Sequence, residues 1–336
     1  MKECLLYDKL ENGRVRCHTC AHHCLLGPGQ TGICGVRRNR EGTLYTLVYR
    51  RIAAMHADPI EKKPLFHFLP GSRAFSIATV GCNMRCRNCQ NADISQMPID
   101  QNRITGNDMV PEMVVKAADD HGCESIAYTY TEPAIYWDYA FEIAKLARKA
   151  GLKNVFVTNG YWSEKALKTM LPYMDGANVD LKFFDDRLYR TVCGARLQPV
   201  LDTIQTLREA GVWTEVTTLV IPELNDSDAA LRSIAGFVRD VSSDIPWHVS
   251  RFHPVYRMID RPMTPADTVQ RAREIGIQEG LRYVYTGNLP GGDGESTFCP
   301  ECGERMIGRT GFSVRDIEIR DGRCPHCGER IAGVWE

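Results

Sequence analysis

From about residue 74 to 288 the chain alternates two kinds of segment. Short runs rich in β-branched and aromatic residues (AFSIAT, SIAYTY, NVFVTNG, GANVDLK, WTEVTTLVI and WHVSRF, with RYVYTG as a later addition) have the length and composition of strands. Between them lie VPEMVVKAADDHG, YWDYAFEIAKLARKAG, SEKALKTMLPYM, VLDTIQTLREAG, SDAALRSIAGFVRDV and TPADTVQRAREIGIQEG. Each repeats apolar residues at spacings of three and four, which predicts an amphipathic helix, and several close on Gly, as helices do. Alternating strands and helices predict a parallel sheet wrapped by helices. Six or seven such units fall short of a closed eight-fold barrel. The fold class expected is therefore α/β, a partial (β/α)6 TIM-like barrel with its chemistry at the C-terminal ends of the strands.

The flanks break this rhythm. Residues 1–50 are rich in Cys and Gly and predict a small module organised around a bound ion more than around a core. Residues 51–73 read as a proline-studded connector, the barrel occupies 74–288, and residues 289–336 read as a four-Cys ribbon reached through the linker GNLPGGDGEST.

Composition changes the picture at one point only. The apolar fraction of 43%, charged fraction of 25% and net charge of −1 are ordinary for a globular protein, and provide no general attraction to nucleic acid or anionic lipid. No apolar run approaches the roughly 20 residues of a membrane helix, and charges interrupt the N-terminus before any signal-peptide core, so a cytoplasmic location is expected. The abnormal figure is 14 cysteines. In a reducing compartment these point to metal rather than to disulfides. Cys4, Cys123 and Cys193 stand alone and read as buried apolar packing; the rest fall in three groups.

The central group, GCNMRCRNCQN, spaces Cys82, Cys86 and Cys89 as C-x3-C-x2-C directly after the first barrel strand. Three thiolates do not complete the four-Cys ligation of an ordinary 4Fe–4S cluster, so one iron would keep an open position for a substrate. The competing readings are zinc, or a structural cluster with a remote fourth Cys. Zinc knuckles favour paired C-x2-C, unlike this asymmetric triplet.

With this triplet the chain resembles the radical S-adenosylmethionine superfamily. TYTEP (129–133), VTNGY (157–161), NVDLKFF (178–184) and SRFHP (250–254), at successive strand ends, are similar to segments of the pyruvate formate-lyase activating-enzyme branch. DPIEKKPLFHFLPGS, GCNMRCRNCQN, TLVIPELNDS and PWHVSRFHPVYRM resemble, closer still, the radical enzyme of the AmmeMemoRadiSam system, over nearly the whole chain. The resemblance implies that the open iron of a 4Fe–4S cluster chelates the methionine end of S-adenosylmethionine. Reductive cleavage would then yield a 5′-deoxyadenosyl radical that abstracts hydrogen from a protein or small-molecule substrate. It implies that Glu132 accepts from the cosubstrate ammonium and Lys182 neutralises its carboxylate, with Asp180 alongside. Asn159 and His253 would contact the ribose or the substrate. A reducing partner of the flavodoxin or ferredoxin kind and further protein partners are implied as well. Val157 departs from the pattern: activators of pyruvate formate-lyase carry there an Asp that helps hold a monovalent cation, which weakens the analogy to a glycyl-radical activase proper. A non-catalytic iron–sulfur or zinc scaffold is the rival reading from another class.

The flanking groups read separately. CPECG and CPHCG place Cys299, Cys302, Cys324 and Cys327 as two C-x2-C knuckles, each followed by Gly, a pattern for a four-thiolate tetrahedral site. Structural zinc is expected there, with a rubredoxin-like iron as the alternative; 21 residues between the knuckles leave room for a β-hairpin. A nucleic-acid role for this ribbon is disfavoured by scattered arginines and neutral charge. Cys17, Cys20, Cys24 and Cys34 could hold zinc or an auxiliary iron–sulfur cluster, with His18, His22 and His23 as substitute ligands.

Overall fold

The computed structural model describes residues 1–289 and 291–336; Pro290, within the linker, lies outside the described residues. One eight-stranded sheet dominates. Its strands are β1 (Ala54–Pro59), β2 (Arg73–Ala78), β3 (Ser125–Tyr128), β4 (Lys153–Thr158), β5 (Gly176–Asp180), β6 (Trp213–Val220), β7 (Trp247–Arg251) and β8 (Val284–Gly287). Spatial order follows chain order, and β2 to β8 are parallel. Six crossover helices join them: α1 (Pro111–Asp120), α2 (Trp137–Lys149), α3 (Glu164–Met170), α4 (Gln198–Glu209), α5 (Asp228–Val241) and α6 (Ala266–Gln278). The six strands expected of the partial barrel are present, and the RYVYTG run adds β8 as a seventh parallel strand. β1 caps the other edge, antiparallel to β2. It arises within the stretch read as a connector.

The burial pattern explains why these segments fold as they do. All of β3 and most of β2 are buried, as strands covered on both faces must be. Helix α5 buries Leu231, Ile234, Ala235 and Val238, one stripe at helical spacing, and Ser227 caps its start by accepting from the Ala230 amide. Ser163 caps α3 in the same way.

The two ends of the barrel are closed differently. At the N-terminal end of the strands, Phe66, His67 and Phe68 fill the floor, each nearly or fully buried. Glu215, with no exposed surface, accepts from the Phe66 amide (3.0 Å), the His67 amide (2.8 Å), Trp213 Nε1 (2.9 Å) and His248 Nε2 (2.6 Å). The C-terminal ribbon, strands Thr297–Phe298, Arg305–Thr310 and Ser313–Ile317, packs beneath. Its Arg309 donates to the Phe66 carbonyl (2.6 Å), and the Ala332 carbonyl pairs with His67 Nδ1 (2.6 Å). The N-terminal module, two three-stranded antiparallel sheets, sits at the other end. There Cys20 forms a bridge with Trp162, just past β4, and Arg37 pairs with Asp138 in the first turn of α2.

Candidate active site

The Cys82–Cys89 loop leaves the C-terminal end of β2 and is held along its length. The amides of Arg85 and Arg87 donate to the carbonyls of Cys193 (2.7 Å) and Val192 (3.0 Å). The Asn91 side chain donates to the Tyr130 carbonyl (2.8 Å). Asn83 donates to the Tyr161 carbonyl (3.3 Å) and accepts from Asn159 Nδ2 (2.8 Å), which also approaches Cys82 Sγ (3.8 Å). Gly81 has φ +104, and a Cβ there would lie 2.7 Å from Val36 and 3.1 Å from the Cys34 carbonyl, so only Gly allows the N-terminal module this close.

The three thiols are half-buried. Burial pushes the Cys82 thiol well above its usual range, so its thiolate needs a compensating positive charge. Cys86 moves the other way, down to about 7: a hydrogen bond from Cys193 favours the thiolate, burial opposes, and the Lys182 charge assists. Cys89 lies 3.1 Å from Ser95 Oγ. Among the described residues no three of these sulfurs gather within 4.8 Å, which a single small ion would demand. Partly open, cysteine-only and spread out, the triplet fits a cluster whose irons each take one thiolate.

Glu132, at the end of TYTEP, is buried, and burial raises its carboxyl to about 7. Its Oε1 accepts from the Ala134 amide (3.0 Å) and Thr158 Oγ1 (2.8 Å), and Oε2 from the Asn159 amide (2.8 Å). Of roughly four lone-pair positions on a carboxylate, one on Oε2 stays free. The backbone just before it is strained, Tyr130 having φ 59, a pattern that collects at binding loops. Lys182 pairs with Asp180 (2.8 Å). Burial opposes the Lys182 charge, but Asp180 and then Cys86 outweigh it and hold the ammonium protonated.

Among the residues singled out from sequence, Glu132, Asn159, Asp180 and Lys182 thus stand at the ends of β3, β4 and β5, Asn159 beside Cys82 and Lys182 within electrostatic reach of Cys86. His253 is exposed beyond β7; its loop touches the Cys loop through the Arg257 amide and the Arg87 carbonyl (2.9 Å). Val157, half-buried on β4, has no group with which to hold a cation. Sequence reading missed Cys193 and Asn83. Cys193 is buried in the apolar core, as expected, and there it also meets Cys86.

The ribbon cysteines have collapsed together. Cys299 and Cys327 sulfurs are 3.5 Å apart, Cys302 and Cys324 3.6 Å, and all four lie within 4.8 Å of one another. The expected hairpin, Arg305–Thr310 with Ser313–Ile317, separates the knuckles. Gly303 and Gly328, at φ +76 and +79, return their amides to the Cys299 and Cys324 carbonyls (2.9 Å each).

The chain resembles known proteins in sequence and in fold. The family model of the radical SAM superfamily matches residues 76–233. The uncharacterized protein MJ0808 of Methanocaldococcus jannaschii is 44% identical over 320 residues, 95% of either chain. The pyruvate formate-lyase-activating enzyme of Clostridium pasteurianum is 22% identical, over 61% of this chain and 88% of its own. Among solved structures, Streptococcus suis SuiB bound to the precursor peptide SuiA shares the fold, with TM-score 0.50 and 16% identity over 68% of this chain and 51% of that one. The chain belongs to the radical SAM superfamily, in the branch that resembles pyruvate formate-lyase activating enzymes. It is an enzyme of the class that generates radicals from S-adenosylmethionine, and the superfamily implies a 4Fe–4S cluster. No helix among the described residues is long and apolar enough to cross a membrane.

Proposed function

We propose that Cys82, Cys86 and Cys89 hold a 4Fe–4S cluster with one iron free of protein ligand. S-adenosylmethionine would bind across it, and a hydrogen atom would be taken from a protein or small-molecule substrate. When bound and reduced, such a cluster supplies the electron that breaks the sulfur–C5′ bond of the cosubstrate. The chain's own residues do the rest. Glu132 accepts from the methionine ammonium through its free Oε2 position, a charge-assisted bond. Lys182, kept charged by Asp180, answers the methionine carboxylate. Asn159 orients the Cys loop through Asn83. His253 lies on the loop that would meet the ribose or the substrate.

The observation that carries this reading is the spread thiol triplet beside a buried carboxylate with one acceptor position left over. Purified anaerobically, reduced with dithionite and given S-adenosylmethionine, the protein should release 5′-deoxyadenosine. None above a Cys86→Ala control would defeat the proposal, and would favour an electron-transfer or scaffold role. The activating enzymes among its relatives, named for the enzymes they activate, support a protein substrate; the electron the reaction needs would come from a reducing partner of the flavodoxin or ferredoxin kind. Val157 argues against a glycyl-radical activase proper. We assign the four ribbon cysteines to one tetrahedral ion, by preference zinc: thiolates about 2.3 Å from a shared ion stand a little under 4 Å apart, as these do. Membership of the AmmeMemoRadiSam group rests on the motif resemblance alone.

A further inference from the structure

We infer that Cys17, Cys20, Cys24 and Cys34 bind a second iron–sulfur cluster of the four-iron type, ligated by cysteine at every iron, and not zinc. The discriminating quantity is how far apart the sulfurs stand. This chain carries its own standard for a single ion, the ribbon, with sulfur pairs at 3.5 and 3.6 Å. The N-terminal sulfurs are arranged otherwise. All four cysteines line one recess, yet among the described residues they do not gather with their sulfurs within 4.8 Å of one another, as the ribbon cysteines do. The Cys82, Cys86 and Cys89 sulfurs are dispersed in the same sense. A four-iron cluster separates its thiolates because each sits on its own iron.

A second observation is a buried arginine among the recess residues with one donor left over. Arg37 lines it and is 2% exposed. Its Nε donates to the Ile135 carbonyl (3.2 Å) and its Nη2 to Asp138 (2.6 Å), while Nη1 is buried with no partner. Leaving an Arg donor buried and unpaired is costly. Sulfide or thiolate sulfur of a bound cluster supplies the missing acceptor, and such hydrogen bonds tune cluster potentials. The histidines are otherwise engaged: His18 contacts Asp8 (2.6 Å) and His23 (3.3 Å), and His22 Nε2 meets the Asn83 carbonyl (2.7 Å). That last contact, with the packing of Cys34 on Gly81, sets the recess against the Cys82 loop. A cluster there is a one-electron store next to the first.

The test counts inorganic sulfide, which a zinc or single-iron ribbon lacks. The full chain reconstituted anaerobically should contain about eight sulfides, against about four for one cluster. The variant Cys82→Ala/Cys86→Ala/Cys89→Ala should keep about four, with a reduced-state electron paramagnetic resonance signal indifferent to S-adenosylmethionine. Adding Cys20→Ala should abolish that signal. In the otherwise native chain, Arg37→Gln/Asp138→Asn should shift the second cluster's reduction potential and leave the cosubstrate-responsive signal in place. Four sulfides in the native chain, or a sulfide-free triple variant with two zinc ions, would overturn the inference. Failure to release 5′-deoxyadenosine would sink the proposed function and leave the sulfide count untouched.

Discussion

Replacing Glu132 by Gln tests the site where its geometry is most demanding. The carboxylate accepts three donors from the protein at 2.8–3.0 Å and keeps one position for the cosubstrate ammonium. Gln keeps one carbonyl oxygen and turns the other into a donor. With Oε1 retained, the new amide faces the Asn159 amide; flipped, it faces Ala134 and Thr158. Either way a buried donor loses its acceptor, at about 1–3 kcal/mol of stability. The separate loss of the charge-assisted bond to the ammonium is about 1.5–3 kcal/mol, roughly 10- to 150-fold in Kd. Titrating S-adenosylmethionine into anaerobic, cluster-loaded protein and following the cluster signal measures it. The pH profile separates charge from shape. Burial raises Glu132 to about 7 from the ordinary 4.5. Its neutral form therefore favours the fold below pH 4.5, and this contribution fades as pH rises through 7. Cosubstrate binding needs the ionised form and follows the opposite trend, so Kd should fall about tenfold between pH 6 and 8 in the native protein and stay flat in the variant. An unchanged Kd in Glu132→Gln, with the cluster intact, would refute the assignment.

Three further outcomes are expected. Glu215→Ala strands four buried donors at the barrel floor and should cost about 3–5 kcal/mol in urea unfolding while leaving Kd for the cosubstrate unchanged in whatever protein remains folded. Gly81→Ala forces a Cβ to 2.7 Å from Val36 at φ +104, and should lower iron loading at the Cys82 loop, read as iron per chain, more than Gly303→Ala, whose Cβ would meet nothing within 4 Å. Stripping the ribbon ion with a thiol-competing chelator should lower the thermal midpoint, because Met306, Ile307 and Ile331 of the ribbon share a core with Phe68 and Tyr285; an unchanged midpoint would count against a structural ion.

Much of this was legible in the chain. Six barrel strands and six helices announced themselves because burial on a sheet or on one helix stripe imposes a period that composition follows. β1 did not. Half its residues are exposed and it ends in Pro59, tolerable only because it pairs on a single side at a sheet edge. Short-range spacing likewise exposed the cysteine groups. What stayed hidden depends on partners distant in sequence. Arg37 looks like one charge in RRNREG, and its meaning comes from Asp138, 101 residues away. Cys193 looks like an isolated apolar filler until the Tyr189–Cys193 turn carries it to Cys86. His253 came from motif alone, and its exposure leaves it the least anchored of the site residues.

The floor of aromatic rings and the Glu215 knot shut the base of the barrel. With the base shut, whatever reacts inside passes by the other end, where the cysteine loops and the N-terminal module stand, or by the open side between β1 and β8. If radical chemistry proceeds at the far end as proposed, a stoppered base would also keep solvent from rising toward it from below. Damage to the ribbon would then appear first as leakage, turnover that consumes cosubstrate without altering substrate, before any loss in the capacity to make radicals.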